Sequence, residues 1–311
     1  MALPLSPPLE PQLALTRKAL PEGDLAYEEK LDGFRCITFV DGAEATLQSR
    51  NGKPLGRYFP EIRMPPGRYV VDGELVIGTG ASFDMLSQRI HPARSRVERL
   101  AAETPARLVL FDLLAVGDES LLDLAWHERR RRLEELAAEL GLPVSTIVTD
   151  PAETAAWLSG SEGVIAKERS APYLPGRRKG FYKIKRVRTL DAVAVGWREG
   201  KVAGTLGALI LGLYDDAGRI HVVGHSSGFT AKEKRDLPAR LAPLETGAVV
   251  EGEPSRWQTA RDTAYHELRP EIVVEVSFDH VSDGRIRHGT TLERFREDRE
   301  PASCRLGQLD G

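Results

Sequence analysis

Residues 181–188, F-Y-K-I-K-R-V-R, separate two stretches of chain with different textures, and that break constrains the fold more than any other feature. Ahead of it, runs with strand character alternate with helical patterns. C-I-T-F-V (36–40), A-T-L-Q-S (45–49), Y-V-V (69–71), E-L-V-I (74–77) and R-L-V-L-F-D-L-L (107–114) read as strands. The segment 125–140 reads as a helix, with Leu133, Leu136, Ala137 and Leu140 on one face and Gly141 at its end. Its run Arg129 to Arg132 reads as the wet side of that helix rather than as a phosphate patch. Behind the break come short strands with frequent glycines, D-A-V-A-V-G-W (191–197), G-A-L-I-L-G-L-Y (207–214), H-V-V-G-H-S (221–226) and I-V-V-E-V-S-F (272–278). That spacing suits a small barrel or sandwich. A chain of 311 residues is expected to hold two cores, because single cores stop growing near about 250–300 residues. The reading is therefore α+β, with one domain over 1–187 and a second over 188–311.

Charge enters because the break is itself basic. The 43 Lys and Arg nearly cancel the 46 Asp and Glu, for a net charge of −3, so a polyanionic partner has to be held by local clusters. One such cluster is 167–188, where Lys167, Arg169, Arg177, Arg178, Lys179, Lys183, Lys185, Arg186 and Arg188 face the single acid Glu168. Two cysteines, Cys36 and Cys304, are too few for a disulfide framework or a zinc site and fit a reducing cytoplasm. The opening M-A-L-P-L-S-P-P-L-E-P does not read as a signal peptide. The longest apolar run, 207–214, is far short of a membrane span.

Six short motifs carry candidate chemistry. In K-L-D-G-F-R (30–35), Lys30 is a candidate covalent nucleophile, the Asp-Gly a tight turn that would aim it into a cleft, and Arg35 a planar fork for a phosphate or sugar. S-R-N-G-K (49–53) sets Arg50 at a strand end before a turn, and V-D-G-E-L-V-I (71–77) puts Glu74 inside an apolar run. An acid there is either on an exposed strand face or partnered. Phe111 in L-F-D-L-L (110–114) is either core or a platform for a base. E-G-V-I-A-K (162–167) offers Glu162 as a magnesium ligand. In F-Y-K-I-K (181–185), Lys183 and Lys185 fall on one face of a strand, where two like charges repel unless an anion lies between them.

In that order, K-x-D-G-x-R, S-R-N-G, D-G-E, F-D-L-L, E-G-V-I-x-K and K-x-K resemble motifs I, Ia, III, IIIa, IV and V of the covalent nucleotidyltransferases, the superfamily of DNA ligases, RNA ligases and capping enzymes. R-H-G-T-T-L-E-R-F-R-E-D-R-E-P (287–301) resembles motif VI. Within the superfamily the chain is similar to the short stand-alone bacterial ATP-dependent DNA ligases of the C type. That similarity covers essentially its whole length, including R-N-G-K-P-L-G-R-Y-F-P (50–60) and Q-R-I-H-P-A-R-S-R-V (88–97).

The resemblance implies a nucleotidyltransferase (adenylation) domain of antiparallel sheets with flanking helices, followed by a β-barrel of the OB-fold. It implies that Lys30 becomes adenylated, that Glu28 meets the adenine edge, and that Phe111 stacks on the base. Arg35, Arg50 and Glu74 would hold ribose and phosphate, Glu162 would help place Mg²⁺, and Lys183 and Lys185 would contact the α-phosphate. Arg296 and Asp298 of motif VI would orient pyrophosphate in the first step. That motif commonly ends R-x-D-K, whereas this chain reads R-E-D-R, so Arg299 keeps the charge but not the geometry. The implied activity is ATP-dependent sealing of nicked duplex DNA in repair, by a cytoplasmic monomer that uses ATP and Mg²⁺. A repair polymerase or primase as partner stays open. With Lys30 so near the start, no separate N-terminal DNA-binding domain is expected. The rivals are an RNA ligase, a GTP-dependent capping enzyme, and a non-catalytic OB protein that binds nucleic acid through its basic segment and aromatics such as Trp197, Phe229 and Trp257. No Walker-type G-x-x-x-x-G-K-[ST] occurs.

Overall fold

The computed structural model describes residues 3–78, 83–186, 188–251, 263–278, 281–282, 284–286 and 289–309. Val187, Trp257, Arg287 and His288 lie outside the described residues. The chain divides into two compact units, 1–186 and 187–311. Among the described residues, no helix is long and apolar enough to cross a membrane.

The first unit, the adenylation domain, holds two five-stranded sheets. One runs in the order Glu44–Ser49, Phe34–Gly42, Gly67–Val76, Arg107–Val116, Glu119–Ser120, antiparallel throughout. Its three central strands are buried on both faces, and the two-residue period of a strand assigns each face its own core. Cys36 and Val40 join the cluster built on Leu75, Leu110 and Leu133, whereas Ile37 and Phe39 join the one built on Val70, Leu114 and Tyr173. The other sheet has the order Leu15–Arg17, Phe181–Lys185, Gly163–Glu168, Leu25–Glu29, Ile147–Val148. Its edge strand Leu15–Arg17 runs parallel to Phe181–Lys185, so this sheet is mixed rather than purely antiparallel.

Two sequence expectations change here. The runs Y-V-V and E-L-V-I are one ten-residue strand, Gly67–Val76, and the Asp-Gly between them is not a break. Asp72 is fully buried with partners of its own, and at Gly73 a Cβ would come 2.6 Å from the Val109 carbonyl oxygen, so only glycine lets the two strands close. The helix Trp126–Leu140 ends at Gly141, in the left-handed conformation with φ 67°. Its arginine run, however, is not all on the wet side. The residues turned inward are Trp126, Arg129, Arg130, Leu133 and Ala137, the i, i+3, i+4, i+7 stripe of a buried helical face. Arg129 and Arg130 fall on that stripe, and Arg131 and Arg132 do not. Arg129 is tolerated inside because Asp112 accepts from its Nε at 2.8 Å and its Nη2 at 3.0 Å.

The second unit, the OB-fold domain, is built on the long strand Arg188–Glu199. It pairs with Leu206–Tyr214 on one side; on the other it pairs with Val273–Phe278 along its first half and Tyr265–Leu268 along its second. Ile220–Ser226 and Thr291–Phe295 extend the two sides. The sheet curls into a half-barrel whose ends meet, among the described residues, at the parallel bridge of Ser226 to Thr290, where Thr290 N–H donates to the His225 carbonyl at 3.0 Å. Ala194, Leu211, Val274 and Val276 share one face of the sheet and lie in its buried core. Thr230 and Glu233 form a reciprocal capping box that starts the helix Ala231–Leu241.

Candidate active site

Strand register in the mixed sheet places the first group of polar side chains. Glu28 pairs with Ile165, and Ile165 pairs with Lys183, so these three share one face across three neighbouring strands. One step along, Lys167 pairs with Ala26 and Phe181 and lies on that same face. On the antiparallel sheet, Arg35 pairs directly with Glu74. Between the two rows lies a cavity of about 810 Å³ within the first unit. Its wall includes Glu28, Lys30, Arg35, Arg50, Glu74, Phe111 and Lys183.

Lys30 follows the strand Leu25–Glu29, and its N–H donates to the Gly163 carbonyl at 2.9 Å. Its Nζ stands 3.3 Å from Glu162 Oε2. Gly33 serves by close approach rather than by a left-handed turn: a Cβ there would come 2.0 Å from the Leu75 carbonyl oxygen. The loop bearing the lysine is thereby laid against the strand that carries Glu74.

Arg35 spends most of its fork inside the protein. Its Nε and Nη2 donate to the two oxygens of Asp72, both at 2.6 Å, and Nη2 also reaches the Gln12 carbonyl at 3.3 Å. Tyr173 donates its hydroxyl to Asp72 at 2.6 Å. The guanidinium lies 4.6 Å from the Phe111 ring centroid, so Phe111 is a wall of the cavity and only half-buried. Glu74 is surrounded closely enough that desolvation pushes its carboxyl up to about 7, against the opposing pull of Arg35 and Lys30.

The cations around the cavity repel one another. Burial holds the Lys183 ammonium below its usual value, and Lys185, Arg50, Lys30 and Arg178 add to the effect. Of these, Lys30, Arg50 and Arg178 line the cavity with Lys183. Lys185 and Glu162 are not part of the cavity wall; Glu162 meets it through Lys30. Arg296 and Asp298 belong to the second unit. There Arg296 donates to Asp298 at 2.8 Å and to Asp191 at 3.0 Å, while Arg299 Nε donates to Asp191, also at 3.0 Å.

The sequence reading missed a group of buried charges in and behind the wall, of which Lys167 lines the cavity and Arg130 does not. Lys167, counted above with the basic stretch, is only 2% exposed and is not available to a polyanion at the surface. Its Nζ lies 2.9 Å from Glu28 and 4.8 Å from the Phe111 centroid, and burial lowers its pKa although Glu28 opposes this. Arg130 reaches Glu28 at 3.5 Å and the Ser145 hydroxyl at 2.9 Å. The strand spacing that groups Gly163, Ile165 and Lys167 on one face was the available signal for Lys167. Nothing local marks Asp72, Tyr173 or Arg130, because their partners are distant in sequence. Of the basic stretch, Arg177, Arg178 and Lys179 are exposed.

Comparison with known proteins agrees with this geometry. A family model described as ATP dependent DNA ligase domain matches residues 9–185, and one described as ATP dependent DNA ligase C terminal region matches 202–299. DNA ligase C1 of Mycolicibacterium smegmatis is 43% identical over 335 residues, covering 100% of this chain and 96% of the relative. DNA ligase C of Mycobacterium tuberculosis is 41% identical over 345 residues, with the same coverage of 100% and 96%. Among solved structures, mycobacterial DNA ligase D complexed with ATP and MES is similar at 29% identity and a TM-score of 0.52, covering 95% of this chain and 97% of that one. A nucleotide-sized cavity with a lysine in its wall, two ligase family matches and full-length relatives above 40% identity lead to one assignment: the chain belongs to the ATP-dependent DNA ligases, of the DNA ligase C type.

Proposed function

We propose that this ligase seals nicks in duplex DNA by three phosphoryl transfers, with Lys30 carrying the nucleotide between the first and the second. The observation that carries the reading is the position of Lys30 Nζ, 3.3 Å from a carboxylate and in the wall of a cavity that Arg50, Arg178 and Lys183 also line. The amine attacks the α-phosphorus of ATP and gives up a proton to solvent; an N–P bond forms as the P–O bond to pyrophosphate breaks. A 5′-phosphate oxygen at the nick then attacks the same phosphorus, the N–P bond breaks, and the amine regains a proton. Last, the 3′-hydroxyl attacks the 5′-phosphorus, loses its proton, and AMP leaves.

Each side chain has a part in this. Glu28 accepts from the edge of the adenine and Phe111 carries its face. Arg35 Nη1, the nitrogen not taken by Asp72 or Gln12, reaches the ribose or phosphate together with Arg50 and Glu74. Lys183 and Lys185 neutralise the oxygens of the α-phosphate. Arg296 and Asp298 serve pyrophosphate departure, as their motif implies. Among the described residues no cluster of three or more His, Cys, Asp or Glu forms a metal cage. This suits Mg²⁺, which takes one or two carboxylates and fills the rest of its octahedron with water and substrate phosphates. Glu162 is the residue that would hold it, and when bound the ion would offset charge developing on the phosphate oxygens.

Incubation with ATP and Mg²⁺ should leave AMP on Lys30 through an acid-labile P–N bond, and Lys30→Ala should abolish it. Adenylation that persists at another lysine in that variant would overturn the assignment. Deleting residues from 190 onward should impair AMP uptake while the first unit stays folded. Uptake at the full-length rate would remove Arg296 and Asp298 from the first step.

A further inference from the structure

The helix Trp126–Leu140 contributes a buried cation that the ligase chemistry above does not use. Arg130 is 5% exposed, and its three nitrogens are all engaged. Nε donates to Glu134 at 2.7 Å, Nη1 to the Ser145 hydroxyl at 2.9 Å and toward Glu28 Oε1 at 3.5 Å, and Nη2 to the Ser145 carbonyl. Ser145 is also pinned from its other side, its N–H donating to the Leu110 carbonyl at 2.8 Å. Glu28 and Ser145 both line the cavity, whereas Arg130 does not.

The consequence is chemical. Lys167, in the cavity wall, and Arg130, behind it, both donate to the Glu28 carboxylate, which offers the cavity acceptors only. An exocyclic amine on a purine satisfies the carboxylate. A carbonyl at the same place sets acceptor against acceptor beside a carboxylate that is only 3% exposed, and such a pair is repulsive. The Ser145 hydroxyl gives one lone pair to Arg130 and is free to direct its hydrogen at the ring nitrogen beside that amine, which accepts in adenine but carries a hydrogen of its own in guanine. We infer that Arg130 is a positioning residue that fixes the preference of the first step for an adenine over a guanine nucleotide, acting through Glu28 and Ser145. This rests on the reading that Lys30 takes up AMP from ATP. Lys167 acts on the same carboxylate, but it also lies against the rings of Phe111, Trp126 and Phe181, so replacing it disturbs more than base choice.

The test is covalent nucleotide uptake by the full chain from labelled ATP and labelled GTP with Mg²⁺, each as kcat and KM. Arg130→Met should lower the ATP-to-GTP ratio of kcat/KM by about tenfold or more, the size expected when one orienting hydrogen bond is lost. The change should lie chiefly in KM for ATP. Arg130→Lys, which keeps a cation, should restore part of the preference. Ser145→Ala removes only the hydroxyl and should shift the ratio in the same direction by less. Arg131→Met alters a neighbour that is 62% exposed and paired with Glu135, and should leave the ratio alone. If Arg130→Met does not fold, Ser145→Ala decides. A variant of either residue that melts like the parent protein and keeps its ATP-to-GTP ratio overturns the inference while leaving Lys30 chemistry intact. A parent protein that takes up no AMP from ATP overturns both.

Discussion

Glu74 is the group whose ionisation the fold perturbs in a way that stability can report. Desolvation pushes its carboxyl up to about 7 in the folded chain, with Arg35 and Lys30 pulling the other way. In the unfolded chain a glutamate titrates near ~4.3. Below that pH both states hold the proton, and the group is neutral toward folding. Between ~4.3 and about 7 the folded state keeps a proton that the unfolded state has released, so raising the pH erodes stability; above that window both are ionised and the loss is complete. At about 1.4 kcal/mol for each pH unit, the full span is on the order of 3–4 kcal/mol. Glu74→Gln keeps the shape and removes the titration. The variant should therefore match the parent near pH 4.5 and exceed it by roughly that amount at pH 7.5, other groups cancelling in the difference. Urea unfolding at intervals of pH, with the first unit followed through exchange of the amides of the strand Gly67–Val76, measures the gap. A ¹³C titration of the carboxyl measures the cause. A gap that stays flat across the window, or a Glu74 resonance that moves near pH 4, refutes the argument from burial.

Three further outcomes follow from the geometry. Lys167→Met leaves Glu28 buried with Arg130 alone and should cost about 3–5 kcal/mol in chemical denaturation; adding Glu28→Gln should recover part of that, and a single variant costing under ~1 kcal/mol would show that the pair is not desolvated. Gly33→Ala would drive a Cβ to 2.0 Å from the Leu75 carbonyl, so a destabilisation of about 1–3 kcal/mol or more is expected, with slower AMP uptake; an unchanged melting curve would contradict the close approach. If the exposed Arg177 and Arg178 each neutralise a backbone phosphate of nicked DNA, replacing either with Ala should flatten the log–log salt dependence of binding by about 0.9. Arg177→Ala should do so without altering AMP uptake, whereas Arg178, which also lines the cavity, should affect both; a double variant with the parent slope would move the DNA path elsewhere.

Much of the architecture was legible because it depends on short-range periodicity. The runs at 36–40, 107–114 and 207–214 lie inside observed strands, and the helix expected over 125–140 is Trp126–Leu140, since apolar spacing and a terminal glycine are read from neighbours alone. The grouping of Glu28, Lys30, Arg35, Glu74, Phe111 and Lys183 around one cavity was legible in another way, through motif order, and strand register supplies its physical reason. Local reading failed at V-D-G-E. An Asp-Gly interrupts a strand only if the aspartate needs water, and here Arg35 and Tyr173 replace it.

The other errors have one source. Arg129, Arg130 and Lys167 were all read as surface charge, because an isolated cation is costly to bury. Each is inside because its partner arrives from another part of the chain: Asp112 for Arg129, Ser145 for Arg130, and Glu28, 139 residues away, for Lys167. A rule that treats residues singly assigns a charge to solvent, and only tertiary register reveals the pair. These pairs are not scattered through the domain. Arg130 and Lys167 back Glu28, Asp72 backs Arg35, and Arg129 stands 5.6 Å from the ring of Tyr173, which itself bonds Asp72. Local consistency is broken in and directly behind the cavity wall, where fixed polar side chains require a support that water cannot give them. The misread charges thus trace the outline of the site from its buried side.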